Sequence, residues 1–351
     1  MQHAKSVQIN PSGVEELAHK IYESLKDKNC NYFNWKSSTL NPKKMNEFSI
    51  NWIFLIDTLN FSFWSDHELI QLSEPLPEKF KKPNIEKYTV TYNHIPYSGY
   101  WALCAAVNRA LDEGFPIAEP YFFAHVTEQE LAYIFRSDTS VQIPLFDQRL
   151  RILHETGKIL IEEFQGSFLN LIKLANGSAK NLLRLIVDYF PSYRDEAIFL
   201  DRKITFYKRA QILIADIWGC FEGQGFGYFN DIDSITMFAD YRVPQVLKYY
   251  KAIEYSDDLK SFLKRNALLT SGARFEVEIR AASILSCRMI AQKVKKMIDS
   301  EKPIIINGVQ IQKPIINDIL VDFYLWNYRI DNATEIDSNS LPFHKIRCIF
   351  Y

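Results

Sequence analysis

Over most of the chain, apolar residues recur every three to four positions, the spacing that puts them on one face of an α-helix. Val14, Leu17, Ala18, Ile21 and Leu25 do so within Asn10–Lys26, where Ser12 can cap the start and Glu15 stands three residues on. Tyr100–Glu113 carries Leu103, Ala106, Val107, Ala110 and Leu111 and stops at Gly114. Thr127–Phe135 opens with Thr127 and Glu130 at capping-box spacing. Arg149–Phe164 and Ser167–Phe190 are amphipathic, the second interrupted near Asn176-Gly177. Tyr207–Phe221 follows the stripe Ala210, Leu213, Ile214, Ile217 and Phe221. Val243–Ala252 has Pro244 in its first turn, where a missing N–H costs nothing. Ala273–Ser300 is the longest periodic tract, and Ile315–Trp326 closes the set.

Two segments break this pattern. Asn51–Asp57 is almost wholly apolar, so a buried helix and a buried strand both stay open. Thr89–His94 alternates as a short strand does and predicts a small β-hairpin. Glu74–Lys82, rich in Pro and charge, is expected to be a surface loop. No fixed-period repeat or low-complexity linker divides the chain. The expectation is a mainly α protein of about ten to thirteen helices. It forms a single compact domain over residues 1–351, with a small β element in its N-terminal third.

Composition narrows the function. Forty-one basic and 42 acidic side chains leave a net charge of −1, which argues against a protein held on nucleic acid by a broad basic face. A small anionic ligand needs only two or three cations and stays possible. The five Cys are scattered and form no CxxC, which fits reduced thiols in an intracellular protein. The N-terminus MQHAKSVQINPSGVEELAHKI has no apolar core of a signal peptide, and no apolar run is long enough to span a membrane. A soluble cytoplasmic protein is expected. There is no GxxxxGK[ST] and no GxSxG. GQGFG at 223–227 follows a helix rather than a strand, so it reads as a turn. No two of the seven His stand at i, i+4, so the HExxH metal motif is absent. Acid–base or carboxylate chemistry without a metal remains.

Four stretches could carry it. TMFADYRVPQ places Asp240, Tyr241 and Arg242 after an apolar run and just before a helix start at Pro244. Asp240 is either a helix-terminal carboxylate paired with Arg242 or a carboxylate held rigidly toward a cavity. In FEVEIRAAS, Glu278 shares a helix side with Phe275, Ile279 and Ala282 and can pair with Arg274, while Glu276 faces Arg280. NWIFLIDTLNFSFW sets Asp57 and Asn60 among Trp52, Phe54, Phe61, Phe63 and Trp64, where their polar atoms need hydrogen-bond partners. Backbone amides or the edge of a stacked planar heterocycle would both serve. FYKRAQILIADIW carries Lys208 and Arg209 into an apolar helix, as a solvated face or as an anion contact.

These blocks, with SGYWALCAAVNRALDEGFPI and the C-terminal PFHKIRCIFY, resemble in order the queuosine salvage protein family, from about Asn10 to Tyr351. FADYRVPQ and EVEIRAA are its most specific blocks. The C-terminal block departs from the usual HHRTR, reading Phe343-His344-Lys345-Ile346-Arg347. The resemblance implies hydrolysis of the N-glycosidic bond of queuosine 5′-monophosphate, freeing queuine for reinsertion into tRNA by a separate enzyme. It implies an all-α fold similar to the helix-hairpin-helix DNA glycosylases, no cofactor, no metal and no stable nucleic-acid partner. It puts the family's acidic catalytic residue on Asp240, as nucleophile or as electrostatic partner and base for water, and the family's lysine on Lys208. Asp57, Asn60 and Glu278 become candidates for holding the base and its cyclopentenediol side chain. Lys208, Arg347 and Tyr241 become candidates for the 5′-phosphate, with Arg242 beside them. A glycosylase acting within nucleic acid and a non-catalytic queuine-binding protein are the rival readings.

Overall fold

The structure, a computed structural model, describes residues 3–69, 86–303, 305–306, 309–310 and 313–351. The expected loop at Glu74–Lys82 lies outside them. The described residues are mainly helical. In chain order the helices are α1 (Pro11–Lys26), α2 (Glu47–Thr58), α3 (Tyr100–Asp112), α4 (Pro120–Phe123), α5 (Glu128–Ile134), α6 (Phe146–Phe164) and α7 (Phe168–Ala175). They continue as α8 (Ala179–Tyr189), α9 (Lys208–Cys220), α10 (Val243–Tyr249), α11 (Asp257–Lys264), α12 (Arg274–Ser300), α13 (Asp318–Asp331) and α14 (Ala333–Asn339).

Local chemistry explains the boundaries. The α1 cap is Asn10, not Ser12: its side chain accepts the Ser12 N–H (3.0 Å), and Pro11 takes the first helical position. The ambiguous run at Asn51–Asp57 is helix α2. Asn46 caps it by accepting the Ser49 N–H (3.1 Å), and Ser49–Thr58 is buried on every side, which is why it shows no amphipathic stripe. Thr127 and Glu130 close a capping box at α5. Asn176 adopts left-handed backbone (φ 49°) and Gly177 follows at φ 71°, which ends α7, and Ser178 caps α8.

Strands are short: β1 (Val7–Ile9), β2 (Thr89–Tyr92), β3 (Ile95–Ser98), β4 (Glu196–Phe199), β5 (Arg202–Thr205), β6 (Ile253–Tyr255), β7 (Leu268–Leu269), β8 (Ile305–Ile306), β9 (Val309–Gln310) and β10 (Lys345–Ile346). The expected hairpin is β2–β3, with Val90 facing Tyr97. β4–β5 and β8–β9 are further hairpins, while β1 pairs antiparallel with β6 and β10 pairs parallel with β7. The last two clamp distant parts of the chain. β1–β6 ties the N-terminal segment beside α10, and β7–β10 ties the C-terminal segment to the residues just before α12.

The helices pack into two large apolar cores. One gathers α2, α3 and α6 to α9 around Phe54, Phe123, Phe168 and Phe190, with the Phe54 and Phe168 rings stacked at 4.6 Å. The other gathers α1, α10, α12 and α13 around Leu17, Leu247, Ile290 and Val321. Trp218 and Phe323 pack against both. None of the five Cys is disulfide-bonded. No helix among the described residues is long and apolar enough to cross a membrane.

Candidate active site

The segment Thr236–Arg242 is neither helix nor strand, yet buried side chains hold it along its length. Gln211 Oε1 accepts the Thr236 N–H (2.7 Å), Asp322 Oδ2 accepts the Phe238 N–H (3.0 Å), and Arg280 Nε donates to the Ala239 carbonyl (2.9 Å). Irregular backbone can be buried only when its polar groups find such partners. Arg280 is fixed in turn. It forms a two-pronged ion pair with Asp195 (2.9 and 2.5 Å), and its guanidinium lies 4.0 Å from the Phe206 ring centre and 4.2 Å from that of Tyr351. Asp195 also accepts the Lys208 N–H (3.1 Å) at the start of α9. One buried ion pair therefore fixes the carbonyl before Asp240 and the first residue of the lysine's helix.

Asp240 is half-buried at a cavity wall. Its Oδ1 accepts the N–H of Arg242 (2.9 Å) and Val243 (3.0 Å), capping α10 as a helix-terminal carboxylate does. Its Oδ2 has no hydrogen bond among the described residues. The two readings of Asp240 are thus compatible: one oxygen holds the carboxylate in place and the other is available to a ligand. Lys208, also at the wall, donates to the side-chain oxygen (2.9 Å) and main-chain carbonyl (3.2 Å) of Asn60. Asn60 donates to Asp57 Oδ1 (3.1 Å), making a relay from Asp57 to the lysine. Arg149 holds this loop by donating to the carbonyls of Leu59 and Phe61 (both 2.6 Å), and Arg209 donates to that of Thr58.

The electrostatics are lopsided. Asp57, Asp216, Asp240 and Asp322 surround the single ammonium of Lys208. Burial pushes all four carboxyls up, with Asp57 adding to the rise at Asp216 and Asp240 to that at Asp322. Lys208 pulls each of them down, as do the Arg242 and Val243 N–H groups at Asp240. Burial also lowers Lys208 itself, against Asp240 and Asp57. Burial beside a single ammonium thus favours the protonated form of these carboxyls.

The cavity holds about 570 Å³, within the ordinary range for a small-molecule site. Around the carboxyls its wall is aromatic. Tyr100, Trp101 and Trp326 meet edge to face at 5.0 to 5.8 Å, and Phe63 abuts Tyr100 at 6.0 Å. Trp35 lies on α9 where Gly219 leaves room; a Cβ there would come within 2.9 Å of the tryptophan's own. Elsewhere the wall carries a cluster of cations. Arg242 and Arg329 both donate to Gln245 Oε1 (3.2 and 2.9 Å), Arg242 covers the Phe343 ring at 4.5 Å, and Lys345 lies 4.3 Å from the same ring. Burial, reinforced by Arg242, lowers Lys345 to about 8, although Glu68 opposes the shift.

Five of the sequence candidates, Asn60, Lys208, Asp240, Tyr241 and Arg242, line this one cavity, and Asp57 stands directly behind Asn60. Two do not reach it. Glu278 turns to the N-terminal segment, accepting the N–H of Lys5 (3.0 Å), Ser6 (2.5 Å) and Val7 (3.2 Å) and the Nε of Arg274 (2.6 Å). These bonds anchor β1 and fill its carboxylate. Arg347 stacks 3.5 Å from the Trp64 ring and donates to Trp64 O (2.8 Å) and Asp66 (2.5 Å), so it contacts no cavity atom. Among the aromatics of NWIFLIDTLNFSFW, Phe63 lines the cavity, whereas Trp52, Phe54, Phe61 and Trp64 are core. Sequence reasoning passed over Asp216, Asp322, Gln245, Arg329 and Lys345. The first two had a signal: each is a lone carboxylate in an apolar helical run, IADIW and LVDFY, which demands a partner.

Residues 40–351 match the family described as queuosine salvage protein. A mouse protein named queuosine 5′-phosphate N-glycosylase/hydrolase is 46% identical over 90% of this chain and 86% of its own length. A cattle protein of that name is 44% identical over 100% of this chain and 96% of its own. One from the bacterium Sphaerobacter thermophilus is 35% identical over 86% and 81%.

The carboxyl array makes a prediction about stability. Asp322 binds its proton more tightly in the fold than in the unfolded chain, whose carboxyls titrate near ~3.9. Stability is therefore lost as pH rises from that value through the raised folded one. Asparagine keeps the acceptor for the Phe238 N–H and cannot ionise. Asp322→Asn should be more stable than wild type by about 1 kcal/mol at pH 8, with the gap narrowing toward pH 5 in urea unfolding. An equal gap at both pH values would contradict this.

Proposed function

The chain belongs to the queuosine salvage protein family, and we propose that it hydrolyses queuosine 5′-phosphate to queuine and ribose 5-phosphate. The observation that carries this reading is Asp240. Its carboxylate is pinned by one oxygen, open by the other, and set between a cluster of cations and a carboxyl-rich aromatic wall. The substrate has the same plan, with a phosphate at one end, a glycosidic carbon between, and a planar base at the other.

Cleavage builds positive charge on the ribose as the C1′–N9 electron pair moves to the base. A fixed carboxylate facing C1′ stabilises that charge without having to reorganise. Water supplies the oxygen that bonds to C1′, one of its protons goes to the departing base, and ribose 5-phosphate and queuine result. Queuine is a 7-deazaguanine, so the departing base cannot be protonated at position 7. Hydrogen bonds elsewhere on the ring must stabilise it, and Asn60, Lys208 and the protonated form that burial favours at Asp322 suit that task. Arg242, Arg329 and Lys345 suit the 5′-phosphate, two as planar forks and one as a point charge. Phosphate binding away from the reacting carbon then serves to position the ribose.

Two outcomes follow. Asp240→Asn keeps the acceptor that caps α10, so it should fold as wild type does, while queuine release measured by mass spectrometry falls by about 10²–10³. Wild-type turnover would overturn the role of Asp240. Arg242→Gln should raise KM for queuosine 5′-phosphate about tenfold or more through the loss of a charged hydrogen bond. An unchanged KM would move the phosphate away from this cluster.

A further inference from the structure

Lys208, Ile212 and Asp216 stand at i, i+4 and i+8 along α9 and all line the cavity. Asp216 is only 3% exposed. It differs from the other carboxyls of the array. Asp240 caps a helix, Asp322 accepts the Phe238 N–H, and Asp57 accepts from Asn60. Asp216 receives no main-chain N–H among the described residues, and only the Trp35 indole borders it as a donor. The other groups facing it are Asp57 from α2, Tyr100 and Cys104 from α3, Asp322 from α13, and Lys208 and Cys220 of its own helix. Lys208 is the one cation among these, and it is already bonded twice to Asn60. A buried carboxyl facing a cavity without a cation of its own is costly unless a ligand brings one. No three His, Cys, Asp or Glu groups among the described residues are arranged to hold a metal ion. An organic cation is the fitting partner.

We infer that Asp216 is the subsite for a ligand-borne ammonium, and that it makes the protein selective for 7-deazaguanine nucleotides whose 7-substituent carries a protonated amine. This rests on the reading of the cavity as a queuosine 5′-phosphate site, because queuosine bears a secondary amine on that substituent. The amine donates to the Asp216 carboxylate, and Trp35 and Tyr100 shield the pair from water. Guanine nucleotides have no such cation, and they leave the Asp216 carboxyl without a partner. The subsite therefore discriminates by what it leaves unpaired as well as by what it binds.

The test compares kcat/KM for queuosine 5′-phosphate and for 7-deazaguanosine 5′-phosphate, with wild type and Asp216→Asn. The preference for queuosine 5′-phosphate should fall by about 10- to 100-fold in the variant, as expected for a lost charged hydrogen bond. Equal losses on both substrates, or an unchanged preference, would overturn the assignment. Should the variant not fold, calorimetry on the wild-type chain decides. 7-Aminomethyl-7-deazaguanine should bind at least about tenfold tighter than the neutral 7-hydroxymethyl-7-deazaguanine, and equal affinities would overturn the subsite. A wild-type protein that releases no base from either nucleotide, yet prefers the aminomethyl base, would sink the hydrolase reading and leave the ammonium subsite standing.

Discussion

The ion pair between Arg280 and Asp195 is the constraint on which the site depends. Taking two charges out of water costs several kcal/mol each, so a buried pair survives only with good geometry and further hydrogen bonds. Here the guanidinium makes two bonds to Asp195, one to the Ala239 carbonyl and a longer contact to Glu276 (3.4 Å), between two aromatic rings. Asp195 uses an oxygen on the Lys208 N–H, and Glu276 accepts from the Tyr351 hydroxyl (2.9 Å). The pair therefore joins α12, the start of α9, the segment before Asp240 and the C-terminal segment. Hydrophobic contact alone leaves small adjustments open; this network fixes one arrangement of the carboxylate and the lysine, the kind of preorganisation that charge stabilisation requires.

The same economy explains the excess of carboxyls over ammonium groups around Lys208. Such an array weakens the fold near neutral pH, because each buried carboxyl must hold a proton or carry an unscreened charge. Proteins tolerate that burden where the unsatisfied groups act on a ligand. The cationic cluster of Arg242, Arg329 and Lys345 stands on α10, α13 and β10, while the carboxyls stand mainly on α2, α9 and α13. Carboxyls gather around Lys208 and cations around Gln245 and Phe343 in one cavity, so a ligand charged at both ends has one orientation that matches.

The helices were legible because an amphipathic helix writes its burial into its sequence. Those with a clear stripe, such as α3, α9 and α12, lie within a few residues of their expected limits. Where burial is complete, as in α2, the stripe vanishes and with it the signal. The two-residue pairing of β7 with β10 joins segments too far apart and too short for any local pattern to announce. The site was legible in part for the same reasons. Asp240 and Lys208 stand out as charges next to apolar runs, and the family resemblance named them. Glu278 misled because periodicity gives the side of a helix but not its neighbour, here the N-terminal segment. Asp216 and Asp322 lie in helices about a hundred residues apart in sequence, and only folding shows that they share a lysine.

A crystal structure of Asp240→Asn bound to queuosine 5′-phosphate tests the account most directly, since it captures the substrate uncleaved. The phosphate should lie on Arg242, Arg329 and Lys345, C1′ should face residue 240, and the 7-substituent amine should meet Asp216. A substrate lying in the opposite sense, or bound outside this cavity, would contradict it.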